Sequence, residues 1–172
     1  MAGWEHVLHR FMQKMAETLF LWEGIRQSLI FIPDMVKRGS GRVMNVSSTA
    51  ATMPGPLQAV YYATKAYVTS LSNALWRELK GTGVTVTALM PGAMETGFAK
   101  TGGLSDTKLF ANAVEPMQVA KDGYHGMMKG KLNVTSGLIA WQKPMMGLAP
   151  LFPKKLMLGF VYSQQLAGSA KK

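Results

Sequence analysis

Residues 42–92 read RVMNVSSTAATMPGPLQAVYYATKAYVTSLSNALWRELKGTGVTVTALMPG. RVMNVSS (42–48) has the length and β-branched content of a strand. The next ten residues, 49–58, hold Pro54, Gly55 and Pro56, which break regular structure and predict a loop. Residues 59–80 then predict a long helix. Ala63, Ala66, Tyr67, Ser70, Leu71, Ala74, Leu75 and Leu79 mark one broad small-to-apolar face, and Gly81 and Gly83 end it. VTVTALM (84–90) is a second strand, stopped at once by Pro91-Gly92. Strand, helix and strand in that order and length predict a parallel pair joined by a helical crossover.

The flanking sequence extends this alternation. Residues 4–22 show an i, i+3, i+4 pattern through Leu8, Phe11, Met12, Met15, Leu19 and Trp22 and predict a helix. A second helical stretch covers about 24–37, with Pro33 in its middle and Gly39-Ser40-Gly41 after it. Residues 93–115 read as irregular with a short helix. Residues 116–129 predict a helix that starts at Pro116 and ends at Gly130. LNVTSG (132–137) is a third, weaker strand, and one or two short helices follow, punctuated by Pro144, Pro150 and Pro153. The expected fold class is α/β: a doubly wound parallel sheet of about three strands with helices on its faces. Its strands lack polar alternation, as strands buried on both faces do.

Composition narrows the function. With 172 residues and 48% hydrophobic content, the chain can bury a core. It has no cysteine, which excludes disulfides and thiolate metal sites and is compatible with a cytoplasmic location. His6 and His9 are three apart but have no third ligand nearby, so no metal is expected. The net charge is +10, and no carboxylate follows Asp122, whereas Lys129, Lys131, Lys143, Lys154, Lys155, Lys171 and Lys172 do. That segment fits either a solvated tail or a partner with an anionic surface. The lysines are scattered and lack zinc-finger spacing or an aromatic RNA-binding signature, which argues against nucleic acid. No apolar run reaches the ~20 residues of a membrane span. Leu156, Met157, Phe160 and Val161 nevertheless sit at helical spacing beside lysines. They fit either interfacial membrane contact or packing against the protein's own sheet.

Chemistry concentrates at the strand ends. Ligands of open parallel sheets bind beyond the carboxyl ends of the strands. Here the first strand ends in Ser47-Ser48 and the second in Pro91-Gly92, with Thr96 shortly after. Tyr61 and Lys65 lie four apart near the start of the intervening helix and share a face. A tyrosine phenol has a pKa near ~10, and an adjacent ammonium lowers it by stabilising the phenolate. With a serine hydroxyl to hold a substrate oxygen, such a set can move a proton at an alcohol or carbonyl oxygen. Alone, an i, i+4 Tyr–Lys pair is usually a solvated surface pair.

In combination, NVSS (45–48), YYATKAYV (61–68) and LWRELKGTGVTVTALMPGAMET (75–96) resemble the C-terminal half of short-chain dehydrogenases/reductases. The resemblance runs from about Phe31 to the C-terminus, and residues 1–30 do not share it. It implies a partial Rossmann-like fold and an oxidoreductase that uses NAD or NADP on a small alcohol or ketone, with an apolar cap at 97–115 favouring a hydrophobic one. The family serine lies thirteen residues before the tyrosine, which selects Ser48 over Ser47. The family tyrosine maps to Tyr61, since only Tyr61 has lysine at +4, and the family lysine to Lys65, which resembles the group that orients the nicotinamide ribose. Pro91, Gly92 and Thr96 match the Pro-Gly-x-x-x-Thr that lies along the cofactor. Helices 24–37 and 59–80 resemble the pair that forms the family's dimer interface.

The family's Thr-Gly-x-x-x-Gly-x-Gly turn, whose amides hold the cofactor pyrophosphate, has no match in this sequence. At ~30 residues per strand–helix–strand unit, roughly 90 N-terminal residues of the family fold have no counterpart. The family's relay asparagine would fall near Phe20, and no asparagine precedes Asn45. Three readings stand: the catalytic half of an NAD(P)-dependent oxidoreductase, an inactive remnant or interaction module with the same fold, and an anionic-surface-binding protein acting through the basic C-terminal segment.

Overall fold

The computed structural model describes residues 26, 28–97, 110, 113–138 and 142–166. The expected helix at 4–22 and most of the expected cap at 97–115 lie outside them. The division of the chain expected near residue 30 falls within helical residues 28–37, and residues 1–25 are likewise outside.

Three strands, β1 (Gly41–Val46), β2 (Val84–Pro91) and β3 (Asn133–Ser136), form one parallel sheet in the order β1-β2-β3. The register pairs Gly41 with Val84 and Val46 with Leu89, then Ala88 with Asn133 and Pro91 with Ser136. All three carboxyl ends therefore lie on one edge, which carries Ser47-Ser48, Pro91-Gly92 and Ser136-Gly137. Among the described residues β1 pairs only with β2, so its other side is an open edge.

Helices cover both faces, as the alternation of elements requires. Helical residues 28–37 (α1) and α2 (Ala59–Glu78) pack on one face, where Ile32, Val43 and Val86 form a buried cluster supported by Met35, Val36, Leu75, Trp76 and Leu79. Helix α3 (Pro116–Met128) packs on the other through Val119, Gly123 and Gly126. Trp76 Nε1 also donates to the Gly130 carbonyl at 3.1 Å, tying α2 to the turn after α3. Helix α1 runs through Pro33, although proline removes one helical hydrogen bond. The carbonyl left over belongs to Leu29, which is exposed, so water can satisfy it.

The inward face of α2 differs from the small-to-apolar stripe expected. Ala63, Tyr67, Ser70 and Ala74 are exposed, and the buried residues are Tyr62, Lys65, Val68 and Ser72. Polar groups turn inward because the sheet meets them with partners. Asn45 Nδ2 donates to Ser72 Oγ at 3.0 Å, Ser72 Oγ donates to the Val68 carbonyl at 2.7 Å, and Ser28 Oγ donates to Asn45 Oδ1 at 3.1 Å. This relay joins α1, β1 and α2 through satisfied hydrogen bonds rather than apolar contact.

After β3 come α4 (Gln142–Leu148), a 3-10 turn (Ala149–Leu151) and α5 (Lys154–Leu166). Helix α5 packs on α2 rather than on the sheet: Met157, Val161 and Ala149 bury against Tyr62. Of its four apolar residues at helical spacing, Met157 and Val161 are buried, whereas Leu156 and Phe160 are exposed. No described helix is long and apolar enough to cross a membrane.

Candidate active site

Ser48, Pro91 and Gly92 lie at the carboxyl edge of the sheet, and Lys65 reaches the last carbonyl of β1 there. Chain direction and backbone hydrogen bonding separate the two adjacent serines. Ser47 is buried. Its hydroxyl donates to the Lys65 carbonyl at 2.8 Å and lies 2.6 Å from the Thr69 hydroxyl, so it fastens the end of β1 to α2. Ser48 turns the other way. Its Oγ accepts from the Ala50 N–H at 3.1 Å and caps the 3-10 turn Thr49–Thr52. Its proton faces the Pro91 carbonyl at 3.5 Å, a separation at which a hydrogen bond is weak. The Ser48 proton can therefore be given to another acceptor at little cost.

The two adjacent tyrosines separate in the same manner. Tyr62 is buried among Ala149, Met157 and Val161, and its hydroxyl accepts from Gln165 Nε2 at 3.2 Å. Burial pushes the Tyr62 phenol above its ordinary pKa, against the hydrogen bond from Gln165, which lowers it; Tyr61 adds a smaller raising effect. Tyr62 is thus held neutral. Gly55 lies directly beneath this ring: a Cβ there would overlap it, which explains glycine in the loop entering α2. Tyr61 is only partly buried, packs edge-on to Tyr62 with ring centroids 6.0 Å apart, and has Lys65 Nζ 5.8 Å from its ring centroid.

Lys65 is 7% exposed, and its ammonium donates to the Val46 carbonyl at 3.0 Å. A buried ammonium needs such acceptors to offset lost hydration. The carbonyl comes from the last residue of β1, so the strand end positions the charge beside Tyr61. No side-chain pattern could disclose this partner.

The β2 end is fixed by backbone. Gly92 N–H donates to the Ser136 carbonyl at 2.8 Å, and a Cβ on Gly92 would collide with the Gly137 carbonyl. Glycine at 92 is therefore explained by close approach of two chain segments. Beyond it, Met94 and Val114 form a parallel bridge, with Glu95 N–H donating to the Val114 carbonyl at 3.0 Å. Thr96 follows on this segment, exposed, with its N–H donating to the Met94 carbonyl at 2.9 Å.

The arrangement thus brings Ser48 to Pro91, and Lys65 to both Val46 and Tyr61. An open cavity of about 330 Å³ lies on the α2 face of β2 and β3, lined in part by Thr52, Thr69, Met90, Thr135 and Met146. Thr69 and Thr135 carried no signal in the sequence, since isolated threonines on a helix and an exposed strand are ordinary. Among the described residues no cluster of histidine and carboxylate groups could hold a metal ion.

The family model for short chain dehydrogenases matches residues 25–105. Ketoacyl reductase HetN of Nostoc sp. is 31% identical over 115 residues, which cover 67% of this chain and 39% of the relative. The chain thus spans well under half of that protein's length. Among solved structures, 7beta-hydroxysteroid dehydrogenase superposes with a TM-score of 0.66 at 20% identity, covering 80% of this chain and 54% of the other. A variant of actinorhodin polyketide ketoreductase, solved with NADPH, superposes with a TM-score of 0.52 at 28% identity, over 59% of this chain and 47% of that one. The parallel sheet order and these matches agree: through residues 25–105 the chain belongs to the short-chain dehydrogenase family.

Proposed function

We propose that the chain carries the reaction centre of an NAD(P)-dependent oxidoreductase acting on a small, hydrophobic alcohol or ketone. The observation that carries this reading is the contrast between two neighbouring tyrosines. Tyr62 is buried in an apolar cluster, whereas Tyr61 is partly exposed beside the Lys65 ammonium. A phenol next to a fixed cation can give up its proton at lower cost than one in an apolar pocket.

A bound nicotinamide cofactor supplies the hydride in reduction and accepts it in oxidation. The chain's own groups handle the oxygen. In reduction, Tyr61 Oη gives its proton to the substrate carbonyl oxygen as negative charge develops there. Lys65 stabilises the phenolate that remains. Ser48 exchanges its long contact with the Pro91 carbonyl for a hydrogen bond to the same substrate oxygen. Oxidation of an alcohol runs the same proton path in reverse.

The donor set suits the nicotinamide-ribose end of the cofactor: a buried ammonium and a phenol one helical turn apart, with Pro91, Gly92 and Thr96 following the next strand. A glycine-rich turn for the pyrophosphate does not occur in the 172 residues. A second reading is an interaction module of the same fold. Exposed Leu29, Ile30 and Phe31 on α1 and Tyr67 on α2 support self-association through these two helices.

Calorimetric titration of the full chain with NADH and with NADPH separates the two readings. Saturable binding that disappears in Tyr61→Phe combined with Lys65→Ala is the expected result. No binding at millimolar cofactor would leave the module reading in its place.

A further inference from the structure

The segment from Leu148 to Tyr162 concentrates exposed apolar surface. Leu151 is 80% exposed and Leu156 67%, and Leu148, Phe152, Phe160 and Tyr162 are each at least two-fifths exposed. On α5 the exposed residues form two rows of i, i+4 pairs, Leu156 with Phe160 and Leu158 with Tyr162, on either side of Gly159 and Ser163. The opposite side, through Met157, Val161 and Gln165, is already spent against Tyr62. Exposed apolar residues gathered in one segment on this scale mark a contact site.

Charge decides what the contact is with. Lys154 and Lys155 are exposed at the start of α5, and no carboxylate occurs anywhere after Asp122. A second copy docked symmetrically on this face would set lysines against lysines with no acid in the segment to pair them. A bilayer containing anionic lipid satisfies both features. It takes the leucines and aromatics at the acyl boundary, and it leaves the lysine heads at the level of the headgroup charge. We propose that residues 148–162 are a peripheral membrane-contact surface selective for anionic bilayers. The helix lies on the surface rather than crossing it, at 13 residues.

Flotation of the full chain with phosphatidylcholine vesicles, and with vesicles in which phosphatidylglycerol replaces part of that lipid, tests this without any cofactor. The chain is expected to float with the anionic vesicles and to be released as salt is raised. Lys154→Glu with Lys155→Glu removes two favourable charges and is expected to weaken binding at least roughly twentyfold. Leu156→Ser with Phe160→Ser is expected to weaken it at least about tenfold. All four positions are exposed, and unchanged circular dichroism would show that both variants fold. Equal binding to neutral and anionic vesicles, no binding to either, or retention by the Leu156/Phe160 variant would overturn the proposal. So would sedimentation showing a dimer that this variant dissociates while vesicle binding persists.

Discussion

Lys65 Nζ stands 3.0 Å from the Val46 carbonyl oxygen and 5.8 Å from the centroid of the Tyr61 ring. One buried charge therefore joins the end of a strand to the phenol proposed to move the proton. An apolar side chain of similar length removes the desolvation cost of the buried ammonium, which offsets the donor lost to the Val46 carbonyl. Lys65→Met is expected to change unfolding stability in urea by less than about 1 kcal/mol, while abolishing nicotinamide binding in the same preparation. A loss above about 3 kcal/mol with binding retained would make Lys65 a structural residue.

The two serines should separate by what they cost. Ser47→Ala removes a buried hydroxyl with partners at 2.8 and 2.6 Å and should cost about 1–3 kcal/mol of stability. Ser48→Ala removes a cap and a long contact and should cost about 1 kcal/mol. Turnover should show the reverse order. With a ketone substrate, Ser48→Ala is expected to lower kcat/KM by about a hundredfold or more, and Ser47→Ala far less. Denaturation and steady-state kinetics on the two variants check both orders.

Alkaline stability tests the burial of Tyr62. Its phenol is held above the ordinary value, chiefly by burial. Once unfolded, it titrates near ~10. Above that pH the unfolded chain sheds the proton while the folded chain keeps it. The stability present below that value is then lost as pH rises toward the folded-state pKa. Tyr62→Phe should flatten this decline. At neutral pH it should cost about 1–3 kcal/mol, since Gln165 Oε1 already lacks a partner and Nε2 would lose its own. Melting temperatures across the alkaline range would reveal both effects.

The same substitution at two glycines should have opposite signs. A Cβ at Gly92 meets the Gly137 carbonyl, and backbone cannot yield as a side chain can. Gly92→Ala should therefore destabilise by about 1–3 kcal/mol. Gly159 has open space around its missing Cβ and lies within α5. Gly159→Ala should stabilise by up to about 1 kcal/mol through helix propensity. Urea midpoints of the two variants give the comparison.

The strands were legible because parallel strands are short apolar runs bounded by glycine and proline, as at Gly41, Gly83 and Pro91. The inward face of α2 was not. A hydrophobicity pattern assigns Ala63 and Tyr67 to the core and Lys65 and Ser72 to water, whereas Asn45, Ser47 and the Val46 carbonyl reverse that assignment. The distinction between Tyr61 and Tyr62 could be drawn from the lysine at +4 alone, a relation within one helix. The partners that give it physical meaning lie elsewhere: a backbone acceptor, which has no residue signature, and a glutamine on the last described helix. In sequence Leu156, Met157, Phe160 and Val161 fit one set, either interfacial or packed; the structure splits that set, burying Met157 and Val161 and exposing Leu156 and Phe160.

The hydrogen bond from Gln165 to Tyr62 spans 103 positions of sequence. Chains emerge from the ribosome N-terminus first. During synthesis α2 and the β1–β2 pair beneath it can therefore form well before α5 exists. Throughout that interval Tyr62 has neither its apolar cover nor its amide partner. Completion of the apolar cluster around Tyr62 is thus a late event in the life of each molecule, coupled to arrival of the same helix whose outer face carries the leucines and lysines.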